Sequence, residues 1–351
     1  MSEPLSASEL AYNYPVVVAA GAKATALFIA WAKNFDSILA EHDVLAVESE
    51  FQFPLLNPET GAASKTFVEA GKIDGILRCK ESGKIKVLEH KTTSDSLGSD
   101  SNYWLRLTMD TQVSKYLLAA RAAGYDCNTV VYDVVRKPQY DLKQIPLVDA
   151  EGVVVVLGPD GERVRTKDGK RYRQTGDAEL GYVVQTRQET IHELHQRTLD
   201  ALSAEPSKYL YVREIARQDE EILEYMADAW CTSKQILYFR QKNLWPRNPA
   251  ACLAFGTCEY FDLCAGKVGV DGVNFKALSA SPHNELEMQV PEGQSLLTNS
   301  RITALRKCSR YHSLRYEENV RSLRLEDEAL RLGTIFHNLA EKYIKQWISR
   351  A

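Results

Sequence analysis

GKIDGILRCKESGKIKVLEHKTT, which spans residues 71–93, is the stretch that decides the fold. It contains two β-like runs separated by a short turn of Glu, Ser and Gly. Asp74 lies in the first run, and Glu89-His90-Lys91 closes the second. The pattern predicts two adjacent strands whose ends bring two carboxylates and an ammonium group together.

These side chains suit metal-assisted cleavage of a phosphodiester. Mg²⁺ is a hard cation that takes oxygen ligands and keeps several waters. Asp74 and Glu89 are candidate ligands, and the carbonyl of His90 could supply a further oxygen. Lys91 would orient or deprotonate the attacking water, or neutralise charge in the transition state. The competing interpretation is a solvated strand edge, but apolar residues lead straight into Glu89, and buried carboxylates are rare unless paired or metal-bound.

The next predicted element is a helix at residues 110–124, which begins at an aspartate and ends at a C-cap glycine. Gln112 and Tyr116 lie four residues apart and therefore share one helix face. Residues 129–135, TVVYDVV, then read as a buried strand. Without the motif upstream, Gln112 and Tyr116 would fit an ordinary helix packed on a sheet equally well.

Residues 65–137 resemble the RecB-like branch of the PD-(D/E)XK nucleases. That family has, in order, an acid on a strand, Glu-x-Lys, a helix with Gln-x-x-x-Tyr, and another strand. The matching residues, in the same order, are Asp74, Glu89, Lys91, Gln112 and Tyr116. The resemblance implies an α/β fold with a restriction-endonuclease-like core, in which a central mixed sheet is flanked by helices. It also implies hydrolysis of DNA with Mg²⁺ or Mn²⁺, in which Gln112 and Tyr116 orient Lys91 and the scissile phosphate.

Three cysteines, Cys252, Cys258 and Cys264, lie in the short segment CLAFGTCEYFDLC. Thiolates select zinc or iron–sulfur clusters, and a closed site needs a fourth ligand. The alternative is three structural thiols in a loop. Many RecB-like nucleases bind a [4Fe–4S] cluster with a late cysteine trio and one early cysteine. Cys258 and Cys264 match the spacing of that trio's last pair, whereas Cys252 departs from it, so Zn²⁺ stays an alternative to the cluster.

The family's early motifs stand at the far end of this chain. Residues 298–311, which contain Cys308, resemble the family's first helix, and the Gly-Thr-x-x-His pattern ending at His337 resembles the next. The first sixty residues contain neither motif. The chain is therefore either circularly permuted or a complete copy followed by a truncated repeat, and the missing upstream motif favours permutation. By this resemblance Cys308 is the fourth thiolate, and His337 is a further ligand of the Mg²⁺ or Mn²⁺ ion.

Composition places the chain among intracellular enzymes rather than secreted ones. Its 351 residues carry a formal net charge of −4, so no global basic signal for nucleic acid exists. Seven cysteines, an odd number without a secretory signal, argue against a disulfide framework. The apolar stretch at residues 15–32 is interrupted by Lys23 and predicts no membrane span. We expect a cytoplasmic protein, encoded by a bacterium or a phage.

Local basic segments could still bind DNA, although charge runs are more often solvated faces. Residues 138–187 carry turn signals between β-like runs and predict an inserted hairpin region that could act as a DNA clamp. The two candidate basic surfaces consist of Arg163, Arg165, Lys167, Lys170, Arg171 and Arg173, and of Arg301, Arg306, Lys307, Arg310, Arg315, Arg321 and Arg324.

The predicted organisation is a nuclease core over residues 1–265, a linker at 266–294, and a segment at 295–351 that completes the same domain. The core includes an inserted hairpin and helical region at 138–241 and a cysteine segment at 245–265, which would staple the ends of the domain through a metal. Strands are expected at 44–57 and 65–77, and helices at 23–35, 188–203 and 214–241.

The functional hypothesis is a metal-dependent DNA nuclease, an exonuclease acting on single strands or free ends. It would serve DNA repair, recombination or phage DNA processing, with a helicase or recombination protein as a possible partner. One alternative is a catalytically inactive DNA-binding or assembly module with the same fold. A further alternative is a zinc-stabilised structural protein.

Overall fold

A computed structural model of the chain describes residues 7–254, 256–271, 273–279, 281–283, 286–323 and 328–349. These residues form two compact units. The first, which we call the hairpin unit, contains the described residues of Met1–Trp31, Lys137–Pro206 and Glu328–Phe336. The second, the sheet unit, contains those of Ala32–Arg136, Ser207–Asp327 and His337–Ala351.

The described residues form the following elements. The strands are β1 (His42–Leu56), β2 (Ala63–Cys79), β3 (Ile85–Thr93), β4 (Thr129–Arg136), β5 (Gln144–Pro146), β6 (Val156–Leu157), β7 (Val183–Val184), β8 (Thr186–Gln188), β9 (Leu210–Ala216), β10 (Phe275–Ala277), β11 (Ser295–Leu297) and β12 (Val320–Ser322). The helices are α1 (Ala7–Glu41), α2 (Asn102–Thr108), α3 (Thr111–Ala122), α4 (Ile191–Ala204), α5 (Asp219–Lys242), α6 (Phe261–Cys264), α7 (Asn299–Lys307), α8 (Ser309–His312) and α9 (Glu328–Ile348).

The sheet unit is built on a mixed sheet in the order β1-β2-β3-β4-β9, with β11 paired to β2. The β3–β4 and β11–β2 pairs are parallel, and the other neighbours are antiparallel. Helices flank this sheet, so the predicted α/β class with a central mixed sheet is confirmed. The predicted hairpin at residues 71–93 is also present, as the β2–β3 pair.

The centre of the sheet is apolar because its strands are covered. In β4 six consecutive residues are buried, as is typical of a parallel strand packed on both faces. Leu117 and Val113 on α3 pack against Val87 and Val130 in one core cluster. This packing holds α3 against β3 and β4. Asp74 and Glu89 lie inside β2 and β3 and not at the strand ends as predicted, because both strands continue past the point where their pairing stops.

One predicted helix is wrong at its start. Residues 214–216 belong to β9, and α5 begins only at Asp219. β9 pairs with β4 from Ala216 to Leu210, so the backbone pairing of a sheet edge prevails over the helix propensity of Glu214 and Ala216. The other expected elements are present with shifted bounds, and α1 extends well beyond the predicted residues 23–35.

The segment expected to be a linker, 266–294, contains ordered structure. Its strand β10 pairs with β12, and Phe275 is fully buried. The following segment enters the main sheet, because Ser295–Leu297 pairs in parallel with residues 67–69 of β2. The far end of the chain therefore supplies a strand to the sheet that carries the motif residues.

The hairpin unit holds the β-like runs expected at residues 138–187. β5 pairs with β8, and β6 pairs with β7, in small antiparallel sheets. Lys23 is buried in this unit, where its ammonium donates to the carbonyl of Tyr140 at 3.1 Å and pairs with Glu328. Trp31 and Phe336 meet edge to face, with their ring centroids 5.6 Å apart. In the described part of the chain, no helix has the length and apolar character that crossing a membrane requires.

Candidate functional site

The β2–β3 register places the two motif carboxylates side by side. The strands pair from Arg78↔Ile85 to Gly75↔Leu88, and the next position in each strand is Asp74 and Glu89. Beyond this point the backbone N–H of His90 donates to Asp74 Oδ2 at 2.8 Å. The Asp74 carboxylate thus replaces a backbone partner at the end of the ladder, and its position relative to β3 is fixed.

Glu89 is the most perturbed acid of the site. Its side chain is 3% exposed, and burial raises its pKa to about 8, with the nearby charge of Asp74 adding to the shift. Oε1 accepts hydrogen bonds from Lys91 and Gln112. Oε2 is buried and has no hydrogen-bond partner among the described residues. A buried carboxylate oxygen without a donor is costly, and a cation ligand would compensate it.

Lys91, Gln112 and Tyr116 complete a connected network with Glu89. The Lys91 ammonium lies 2.5 Å from Glu89 Oε1 and donates to Gln112 Oε1 at 2.9 Å. The amide nitrogen of Gln112 donates to Glu89 Oε1 at 3.0 Å and to the Tyr116 hydroxyl at 2.7 Å. Asp110 caps α3 by accepting from the backbone N–H of Gln112 at 2.9 Å, which fixes the start of this helix.

The charge on Lys91 is stabilised by its acidic surroundings. Burial alone would lower the pKa of this ammonium, but Glu89, Asp74 and Asp110 more than offset it, and the pKa is raised. Lys91 is therefore a cation at neutral pH. Its side chain is still 29% exposed, so it is within reach of a bound anion.

His90 contributes its side chain to the opposite face of the sheet, because successive residues of a strand alternate. Its Nδ1 lies 2.8 Å from Asp133 Oδ2 on β4, and its ring packs on Phe35. Its backbone groups point toward Asp74, since the N–H and C=O of one strand residue face the same side. The His90 carbonyl, which was expected to be a metal ligand, thus faces Asp74 of β2.

Glu48 is a site residue that the sequence pattern did not single out. In β1, Val47 pairs with Gly75 and Ser49 pairs with Ile73, which places Glu48 opposite Asp74. Glu48 has a φ of 50°, in the left-handed region that non-glycine residues seldom adopt. This backbone distortion is the kind that persists mainly at functional positions.

Glu48 is ion-paired with Lys72 of β2. Burial raises the pKa of Glu48, and the charges of Asp74 and Glu341 raise it further. The same two carboxylates, together with Glu48, raise the pKa of Lys72 against the effect of burial. Glu341 on α9 therefore lies close enough to Glu48 and Lys72 for its charge to act on both.

His337, the expected histidine ligand, lies on α9 one turn before Glu341 and is half-buried. Residues four apart on a helix share a face, so His337 and Glu341 lie on the same side of α9. Glu341 acts on Glu48 and Lys72 through its charge. The helix that carries the histidine motif thus lies near Glu48 and Lys72, although it is far away in sequence.

The oxygen donors of this site are of the kind that a hard divalent cation binds. Asp74, Glu89 and the His90 carbonyl are the oxygen donors that Mg²⁺ and Mn²⁺ prefer, and Glu89 Oε2 is buried without a described partner. Among the described residues, no three His, Cys, Asp or Glu side chains are grouped closely enough to hold an ion as they stand. A metal would therefore draw these side chains together.

A second candidate site is formed by the cysteine segment and the start of α8. Four thiols, those of Cys252, Cys258, Cys264 and Cys308, line one small pocket. The chain reaches this arrangement through local backbone bonds, for Cys258 N–H donates to the Cys252 carbonyl at 2.8 Å. The N–H of Asn248 donates to Cys308 Sγ at 3.3 Å.

The thiols of this pocket influence one another electrostatically. Burial raises the pKa of Cys258 and Cys264, and neighbouring thiols raise them further, Cys252 acting on the former and Cys258 and Cys308 on the latter. Basic side chains oppose the shift, and Arg247, Lys307 and Arg310 line the same pocket. Because these cations favour thiolates, the pocket suits a soft metal centre in its chemistry.

The remaining cysteines lie elsewhere. Cys79 ends β2, Cys127 is buried in the main core beside α3, and Cys231 is exposed on α5. The spacing of Cys252, Cys258 and Cys264 had already indicated which thiols would be grouped. Only the fold brings Cys308 to them across more than forty residues of intervening chain.

The chain was also compared with known proteins. No protein-family model matches it, and no curated protein matches its sequence at a significant level.

Proposed function

We propose that this protein is a metal-dependent DNA nuclease of the PD-(D/E)XK type with a circularly permuted chain. One observation carries the proposal above the others. The site at the point where the β2–β3 pairing stops brings together Asp74, Glu89, Lys91, Gln112 and Tyr116, and Glu89 keeps a buried oxygen without a hydrogen-bond partner among the described residues. The motif order led us to expect a restriction-endonuclease-like core, and the grouping of these five side chains supports that proposal.

Asp74 and Glu89 would hold Mg²⁺ or Mn²⁺, with the His90 carbonyl and His337 as further ligands. The bound cation would lower the pKa of a coordinated water and neutralise charge on the phosphate. Glu89, with its pKa raised to about 8, must lose its proton before it can bind a cation. Lys91 compensates part of this cost because its ammonium lies against Oε1 of the same carboxylate.

The proposed reaction is hydrolysis. A water oxygen forms a bond to phosphorus, the bond from phosphorus to the leaving sugar oxygen breaks, and protons pass from the water to the leaving oxygen or to solvent. Lys91 is a cation at neutral pH, so its role is to stabilise negative charge that develops on the phosphate oxygens. Gln112 orients Lys91, and Tyr116 in turn holds the Gln112 amide.

The cysteine pocket would hold a [4Fe–4S] cluster or Zn²⁺ as a structural centre. Its ligands come from both sides of the segment 266–294, so the metal would tie Cys308 to residues 252–264. The parallel pairing of β11 with β2 supports a permuted single domain rather than a separate repeat, because the far segment contributes to the same sheet.

The experiment that tests the nuclease proposal is degradation of a labelled oligonucleotide with Mg²⁺, with Mn²⁺ and with EDTA. The expected result is cleavage that requires a divalent ion and is lost in Lys91→Ala. DNA that is retained without cleavage by the metal-loaded wild type would instead identify an inactive binding module. A visible absorption spectrum of anaerobically purified protein distinguishes an iron–sulfur cluster from zinc.

A further inference from the structure

The hairpin unit carries a basic hairpin whose arms are residues 163–166 and 171–173. The arms pair through Arg165↔Tyr172 and through a 2.8 Å bond from Thr166 N to the Arg171 carbonyl. Gly169 has a φ of 66°, which this tight turn requires. The hairpin is therefore a defined structural element rather than an irregular loop.

The hairpin is far more basic than the chain as a whole. Residues 163–173 contain six basic residues and one acidic residue, whereas the whole chain has a net charge of −4. Four of the cations are exposed and form no ion pair with a carboxylate of the described residues. They are Arg165, Lys167, Lys170 and Arg171. Such a group of unneutralised cations repels itself and is stabilised by a bound polyanion.

Aromatic rings hold several of these guanidinium groups in place. The guanidinium carbons of Arg163 and Arg165 lie 3.9 Å and 4.6 Å from the centroid of the Tyr172 ring. Arg173 lies 4.4 Å from the ring of Tyr182 in the same way. Arg163 and Arg173 are also ion-paired with Asp149 and Asp177, and Arg165 donates to the Gly169 carbonyl at 3.1 Å, so these arginines order the hairpin. The pre-ordered hairpin loses less entropy when its exposed cations bind phosphate.

We propose that the hairpin at residues 163–173 binds the phosphate backbone of a nucleic-acid strand. The choice of this partner rests on the proposed function, which makes DNA the substrate. The local features are those of phosphate contact, namely several lysines and arginines on a short hairpin with aromatic rings between them. No base-reading role follows, so the binding should be independent of sequence and strongly dependent on salt.

The test is fluorescence anisotropy with a labelled single-stranded oligonucleotide in EDTA, over a series of salt concentrations. The variant K167A/K170A/R171A removes three exposed charges of the hairpin. Its control, K65A/K84A/K242A, removes three exposed charges of the sheet unit. We expect the hairpin variant to bind at least about tenfold more weakly at low salt, with a salt slope lower by about 2. The control should bind like the wild type.

Equal losses in both triple variants would overturn the assignment, because the effect would then be one of net charge. Unchanged binding in the hairpin variant would overturn it as well. Competition by polyglutamate as strong as by DNA would point to an acidic protein and reject the nucleic-acid partner. Cleavage is measured separately on saturating DNA. Hairpin-dependent binding by a protein that never cleaves would reject the nuclease and leave the hairpin assignment standing.

Discussion

The amide nitrogen of Gln112 lies 3.0 Å from Glu89 Oε1, and this bond joins α3 to the middle of β3. The same side chain accepts from Lys91 at 2.9 Å, so one residue orients both the acid and the ammonium of the Glu-x-Lys motif. Oε1 of Glu89 is bonded in this way, whereas Oε2 has no hydrogen-bond partner among the described residues. A cation bound at Oε2 would therefore displace neither the Lys91 nor the Gln112 contact of Oε1.

Replacing Asp74 tests the metal site most directly. Asp74→Asn keeps the size of the side chain but removes a charge, so we expect loss of divalent binding and a fall in cleavage of at least about 100-fold. The fold should remain, because an amide oxygen can still accept from His90 N–H. Thermal unfolding with and without Mn²⁺ measures binding, and the oligonucleotide assay measures turnover. Cleavage at the wild-type rate would show that the ligand is assigned wrongly.

Lys91→Ala separates binding from turnover. We expect the variant to keep its Mn²⁺-dependent stabilisation but to cleave about 100- to 1000-fold more slowly, since a positioned cation is lost from the transition state. Lys86→Ala is the matched control, because this lysine lies on the same strand and its ion pair is with the largely exposed Glu214. A Lys91 variant that cleaves as fast as the control would remove the ammonium from the mechanism.

The motif strands and α3 could be predicted because their signals are local. Alternating and apolar runs, an ESG turn and an aspartate cap lie within each element and need no partner. Glu48 could not be predicted in this way. Its role depends on the cross-strand register that places it opposite Asp74 and on a left-handed backbone at one position of β1. Neither feature leaves a trace in the spacing of residues.

β9 was missed for a related reason. Its sequence, LYVREIA, contains residues that suit a helix as well as a strand, and only the free edge of β4 decides between them. The grouping of Cys308 with the cysteine trio was expected only from the family resemblance, since more than forty residues separate them. Long-range contacts of this kind are set by the packing of whole elements.

The stability of the metal-free protein should depend on pH through Glu89. Its pKa is raised from the ordinary value of 4.5 to about 8, so between these values the native state holds a proton that the unfolded chain releases. This contribution is fully present below pH 4.5 and is lost as pH rises to about 8. Urea unfolding in EDTA at several pH values should show Glu89→Gln gaining stability over the wild type as pH rises.

Glu224→Gln, on an exposed position of α5, serves as the control and should follow the wild type at every pH. Parallel curves for Glu89→Gln and the wild type would contradict the buried-acid assignment. When metal is present, we expect the stabilisation by metal to increase as pH rises, because the cation must displace the Glu89 proton. Mn²⁺ affinity should therefore rise with pH toward 8 in the wild type.

The cysteine pocket predicts unequal effects of serine substitutions. Cys308→Ser should lose the bound metal and lower the unfolding temperature, because ligand thiolates contribute to folding free energy directly. Cys231→Ser, an exposed residue outside the pocket, should change neither quantity. Metal analysis and thermal unfolding measure the two effects. A metal-free Cys231→Ser protein, or a metal-replete Cys308→Ser protein, would refute both the ligand set and the permutation argument.

Deleting residues 295–351 tests whether the far segment completes the domain. The deletion removes β11 from its pairing with β2, and it removes the Leu297 carbonyl that accepts from the fully buried ammonium of Lys115 at 2.5 Å. Lys115 would keep its ion pair with Glu69 but lose this hydrogen bond, in a core newly opened to water. We therefore expect a fragment of residues 1–294 that unfolds without cooperativity and holds neither metal centre. Circular dichroism and metal analysis measure this, and adding 295–351 as a separate chain should restore part of both. A fragment that folds, binds metal and cleaves DNA would show that the segment is a truncated extra copy.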